Sequence, residues 1–98
     1  MLYVRIDVAK HKHDFALLDE QGEIPIKNKY FPNSLDGFAY LNKKLQQLNE
    51  TSLIALEDTG HYSFNLLAFL HENNYQTYTY NPFRLLVIEE SYHHMWSW

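Results

Sequence analysis

Leu2, Val4, Ile6 and Val8 alternate with Tyr3, Arg5 and Asp7, a period of two that commits the start of the chain to a strand with one face on a core. The alternation puts a carboxylate, Asp7, near the strand's end on the face opposite Val8. After Lys10-His11-Lys12-His13 the apolar pattern resumes as Phe15-Ala16-Leu17-Leu18-Asp19, so the first strand turns back into a second over about His13 to Asp19. An acid placed like Asp7 is a solvated group on the polar face, a partner of Arg5, or a metal-binding carboxylate. The last role needs a second ligand elsewhere in the chain.

Downstream, Glu20-Gln21-Gly22-Glu23 is a polar connector with a glycine free to take positive φ, a hairpin signal. Ile24, Ile26 and Tyr30-Phe31 predict a third strand that Pro25 confines to an edge, since proline donates nothing to a ladder. Strands one to three then form an antiparallel meander ended by Pro32-Asn33-Ser34. Ser34 is an N-cap candidate. Leu35, Phe38, Leu41, Leu45 and Leu48 follow at spacings of three and four, one face of a helix whose other face carries Asn42, Lys43, Lys44, Gln46 and Gln47.

Ser52-Leu53-Ile54-Ala55-Leu56 is a continuous apolar run, expected of a central strand covered on both faces, and it ends on Glu57. A turn over 58–63 leads into a second helix over 65–73, with Phe64, Leu67 and Leu70 or Ala68 as its apolar stripe. Tyr75 to Tyr80 alternates aromatic and β-branched residues as a further strand, stopped by Asn81-Pro82. Phe83 to Glu90 opens a third helix, and 91–98 is an aperiodic tail. The organisation is one α/β domain over 1–90: three antiparallel strands, then alternating helices and parallel strands.

Composition narrows the chemistry. The 98 residues contain no cysteine, which excludes disulfides and thiolate metal sites and favours a cytoplasmic protein. No apolar run has the length of a membrane span. A formal net charge of -4 is the wrong sign for binding nucleic acid by general attraction, so any such contact is local or metal-mediated. The lysine pairs Lys10/Lys12, Lys27/Lys29 and Lys43/Lys44 read first as solubilising charges.

If a right-handed crossover places the fourth strand beside the first, Asp7 and Glu57 emerge together at the C-terminal ends of adjacent parallel strands, where open α/β sheets build their sites. Two carboxylates that close repel unless a divalent cation is shared or a pKa rises. That pattern suits two-metal phosphoryl transfer. His11 and His13, two apart, have no second pair at zinc-site spacing and read as exposed turn residues. His61 lies at a helix start, placed either to cap and pack or to reach phosphate or Glu57.

Ile6-Asp7-Val8-Ala9-Lys10, Phe15 to Asp19 with Gly22, the segment Asn33 to Leu41 with Gly37-Phe38, then Leu56-Glu57-Asp58-Thr59-Gly60-His61-Tyr62 and Asn81-Pro82, together resemble the N-terminal half of the DEDD-type transposases of bacterial insertion sequences, relatives of the Piv invertase. The resemblance covers about residues 3 to 84. It implies a ribonuclease H-like mixed sheet similar to that of the resolvase RuvC, and Mg²⁺ or Mn²⁺ held by an Asp, a Glu and two later Asp residues. Asp7 and Glu57 match the first two, as metal ligands and catalytic residues. It also implies DNA as substrate, transposition and recombination as activity, a structured guide RNA and a homo-oligomer as further partners.

The departures matter as much. No Asp follows Asp58, so the later Asp-x-x-Asp pair has no counterpart, and Glu89 and Glu90 do not stand at its place. The resemblance also implies a further domain that carries a nucleophilic serine, to which no part of these 98 residues is expected to correspond. The expectation is a truncated product or N-terminal fragment, inactive alone, that binds metal weakly if at all. Two other readings compete: a non-catalytic remnant that binds nucleic acid or the full-length transposase, and the N-terminal subdomain of an actin-like ATPase or sugar kinase. The second lacks the glycine its phosphate turn needs, since Val8-Ala9-Lys10-His11 offers none.

Overall fold

The period-two run forms β1 (Leu2–Val8) in the computed structural model, which describes residues 1–24 and 26–81. Its even residues are buried and its odd residues exposed without exception. The chain continues as β2 (Lys12–Leu18), β3 (Ile26–Pro32), α1 (Leu35–Leu48), β4 (Ser52–Asp58), α2 (Phe64–Glu72) and β5 (Gln76–Tyr80). Among the described residues these strands make one five-stranded sheet in the order β3-β2-β1-β4-β5. β1 pairs antiparallel with β2 and β2 with β3, while β4 lies parallel to β1 and β5 parallel to β4. The expected meander, crossover and central first strand are all present. The expected third helix, the tail, Glu89 and Glu90 lie outside the described residues.

Local chemistry sets the element ends. Gly22 takes φ 81° in the β2–β3 connection, where Asp19 Oδ1 accepts the N–H of Gln21 and Glu23. Ser34 caps α1 by accepting the Gly37 N–H at 3.2 Å, as its sequence position predicts. Asn49, in the left-handed region at φ 50°, closes that helix.

Both helices contribute to a single core over one sheet face. Phe38, Leu41 and Leu45 of α1 and Leu66 and Leu70 of α2 join Leu2, Val4, Ile6, Phe15, Leu17, Phe31, Ile54 and Leu56. Each large side chain so buried contributes roughly 2 kcal/mol. Tyr75 ties the layers together, its hydroxyl donating to Asn42 Oδ1 at 2.5 Å.

Three expectations need correction. Leu35 is 76% exposed and, of the remaining stripe, Leu48 is only partly covered, because the first residue of α1 faces away from the sheet and the docked side of the helix begins at Gly37 and Phe38. In α2 the buried positions are Leu66 and Leu70, flanked by Leu67 and Phe69, while Phe64 is 81% exposed and Ala68 is open to solvent. Leu70 and, in part, Leu67 meet the core as expected, but the helix is phased by Leu66 and Leu70 at i, i+4, so Leu66 replaces Phe64 at the start of the stripe. β4 is covered on one face only among the described residues: Ser52, Ile54, Leu56 and Asp58 are buried, whereas Leu53, Ala55 and Glu57 are half-buried on the other. No helix in the described residues is long and apolar enough to cross a membrane.

Candidate functional site

Parallel pairing of β1 with β4 sets Tyr3 beside Leu53, Arg5 beside Ala55 and Asp7 beside Glu57. The two candidate carboxylates are therefore direct neighbours, one strand spacing of ~4.8 Å apart at the backbone, on the sheet face that carries no helix among the described residues. Asp7 is exposed and Glu57 half-buried. The same crossover that packs α1 on the core delivers Glu57 to Asp7.

A third acid completes the row. Antiparallel pairing sets Asp14 opposite Asp7 on its other side, and Asp14 is exposed on the same face. The sequence predicts the hairpin but not its register, which is what makes Asp14 a neighbour of Asp7; the alternation of Lys12, Asp14 and Ala16 on one face is the signal it does carry. Among the described residues no three His, Asp or Glu side chains converge closely enough to hold a metal ion. Nor do Asp7 and Arg5 form an ion pair: the described ion pairs join the N-terminal ammonium to Glu20 at 2.8 Å and Glu50 at 3.9 Å. Among the described residues no cationic side chain pairs with Asp7 or Glu57, as suits ligands for a hard cation.

The turn beyond Glu57 is built by Asp58, which the sequence showed only as a turn residue. Its Oδ1 accepts the N–H of Gly60 at 3.2 Å and Tyr62 at 3.0 Å, and its Oδ2 accepts that of Ser63 at 3.0 Å. Burial pushes this carboxyl up, but the bonds from Ser63, Tyr62 and Gly60 outweigh it and hold it below its usual value. Asp58 faces the core side while Glu57 faces the open side, so the buried acid anchors the turn and leaves its neighbour free. His61 sits exposed in this turn at φ 62° and makes no hydrogen bond to Glu57.

The turn beyond Asp7 is held from the core side by His13, contrary to the expectation that it is exposed. Its ring is fully buried, 5.3 Å from the Phe31 ring and stacked at 6.4 Å on Phe38. Strand alternation explains this, because His13 shares a face with Phe15 and Leu17. His13 Nδ1 accepts the Ala9 N–H at 3.1 Å. Burial pushes its pKa down, opposed by Asn33, Asp58 and Asp14. Asn33 grips the same turn, its side-chain amide donating to the Lys10 carbonyl at 3.0 Å and its backbone N–H to that of His11 at 2.8 Å. His11 itself is exposed. Both loops that follow the carboxylates are thereby fixed by side chains from the core.

Comparison with known proteins agrees with this architecture. Residues 4–94 match a family model described as Transposase, of the DEDD type found in the IS110 group. No curated protein sequence matches. Among solved structures, the RuvC of Thermus thermophilus superposes with a TM-score of 0.56 at 13% identity, over 84% of this chain and 64% of that one. That likeness shows a shared RuvC-like, ribonuclease H-like fold, and this chain spans less than two thirds of the RuvC chain it resembles. With the family model covering nearly the whole sequence, the chain belongs to the DEDD transposase family of the IS110 type.

Proposed function

We propose that residues 1–90 form the N-terminal part of a DNA-processing transposase domain, in which Asp7 and Glu57 are catalytic residues that together hold Mg²⁺ or Mn²⁺. The observation that carries this reading is their in-register placement at the C-terminal ends of adjacent parallel strands, on one sheet face. Carboxylate oxygens suit these hard cations. When bound, such a cation activates an attacking oxygen and stabilises a leaving one in phosphoryl transfer.

The chain's own residues do the rest of the work. Asp58 fixes the backbone after Glu57 and His13 fixes the backbone after Asp7, so the two carboxylates are held on rigid strands. Asp14 adds negative charge beside Asp7 and strengthens the attraction for a cation over a neutral ligand. Two carboxylates with water make a weak site, with a dissociation constant on the order of millimolar. Further carboxylates, a serine-bearing domain, a guide RNA and a second copy would be supplied from outside the described residues.

Grafting residues 1–81 into an intact DEDD transposase tests the assignment. Asp7→Asn or Glu57→Gln in the graft should lower strand cleavage roughly 100-fold or more, since small displacements of reacting groups already cost that much. Cleavage unchanged by either substitution would remove both residues from the chemistry. The 98-residue chain alone should not nick supercoiled DNA in Mn²⁺. The absence of any three-ligand group among the described residues also favours a second reading, a module that binds nucleic acid without cutting it. On that reading the graft cleaves equally well with Asn at 7.

A further inference from the structure

We propose that Lys12 and Tyr30, at the β3 edge of the open sheet face, form a contact for a nucleotide of an unpaired strand that runs across the carboxylate pair. The inference rests on the reading of the chain as nucleic-acid-processing and adds the form of the substrate.

Register places these groups in line. Tyr30 pairs with Asp14, Asp14 with Asp7, Asp7 with Glu57, and Glu57 with Tyr80, all on one face. Five strands at ~4.8 Å spacing make a row of roughly 19 Å with an aromatic ring at each end and the acids between. Tyr30 is 61% exposed, although a tyrosine on a strand ordinarily packs against its neighbours. Lys12 Nζ stands 4.8 Å from its ring centroid. A ring with an ammonium over it offers a base a stacking surface and a phosphate a cation at one place.

The surroundings fit a strand rather than a duplex. Below the row lies a groove of about 650 Å³ whose lining includes Tyr3, Leu18 and Leu53 with the cations Arg5 and Lys27. Paired bases stack on one another inside a duplex and leave nothing for an exposed ring, whereas unpaired bases are free to stack on protein aromatics. With a formal net charge of -4, general attraction to phosphate is weak, so affinity must come from stacking and from these few local cations. A similar pair, Lys44 over Tyr40 at 5.5 Å, sits on α1, away from the open face. It serves as the internal control.

Fluorescence anisotropy of a labelled oligothymidylate, titrated with the 98-residue chain at low salt in EDTA, tests the contact without any metal. Tyr30→Ala should weaken binding roughly tenfold or more, the scale of one stacked base, and Tyr30→Phe should restore it. Lys12→Ala should weaken binding and flatten its salt dependence, Lys44→Ala should do neither, and a hairpin duplex should bind less tightly than the single strand. No measurable binding, equal binding by Tyr30→Ala, failure of Phe to restore it, or an equal loss from Lys44→Ala would each overturn the proposal. Its failure with cleavage still dependent on Asp7 and Glu57 in the graft sinks the nucleotide contact alone; the converse sinks the catalytic assignment alone.

Discussion

His13 shows how one side chain can couple packing, a loop and pH. Because Nδ1 accepts the Ala9 N–H, the ring must be neutral in the folded chain; a proton on Nδ1 would face a donor with a donor. Its pKa is lowered from 6.5 by burial, so the unfolded chain binds a proton that the folded chain refuses. The contribution to stability is therefore complete above pH 6.5 and is lost progressively as pH falls from there toward the lower folded value. Melting temperature followed from about pH 7 to 5 should decline in the wild type; His13→Phe, which keeps the aromatic packing and has no group to protonate, should show a shallower decline. A decline of equal slope in both proteins would dissociate His13 from the effect. Asp58 acts at the same scale on the other loop. Asp58→Ala removes the acceptor of three turn N–H groups, that of Ser63 buried, and should cost about 2 kcal/mol by urea denaturation, far more than Asp7→Ala, whose carboxylate is exposed.

Among the elements, α1 depends most on a single small residue. A Cβ added to Gly37 would run into the Pro32 carbonyl group, backbone that cannot step aside, because the helix starts immediately against the end of β3. Gly37→Ala should therefore destabilise by about 3 kcal/mol despite its better helix propensity, whereas Ala39→Gly, on the exposed face, should cost about 1 kcal/mol. Equal losses in chemical denaturation would show that α1 does not dock this closely. Strands and caps were readable in the sequence because their signals are local: the alternation of β1, the Ser34 cap and Gly22 all appear as predicted, within a residue or so of the expected bounds. Helix phase was less so. Leu35 and Phe64 look like core residues by spacing, yet each is the exposed first residue of its helix, and only the tertiary docking decides that. His13 failed for the opposite reason, since its polar type outweighed a strand position that assigns it to the core.

For the whole molecule, the sheet order converts a pattern dispersed over half the chain into one row of groups. Asp7 and Glu57 were legible as partners because a right-handed crossover allows few arrangements. Asp14, Tyr30 and Tyr80 were not, since each joins the row only through strand register: hairpin length for Asp14, a second antiparallel pairing with a register shift between Phe15 and Leu17 for Tyr30, and the parallel β4–β5 pairing for Tyr80. On the proposed function, Asp7 and Glu57 hold a divalent cation in common. Titrating Mn²⁺ into the 15N-labelled chain and following paramagnetic line broadening tests it directly. Broadening should centre on the backbone amides at the ends of β1 and β4 and be lost in both Asp7→Asn and Glu57→Gln. Broadening that survives both substitutions, or that centres elsewhere on the sheet, would contradict it.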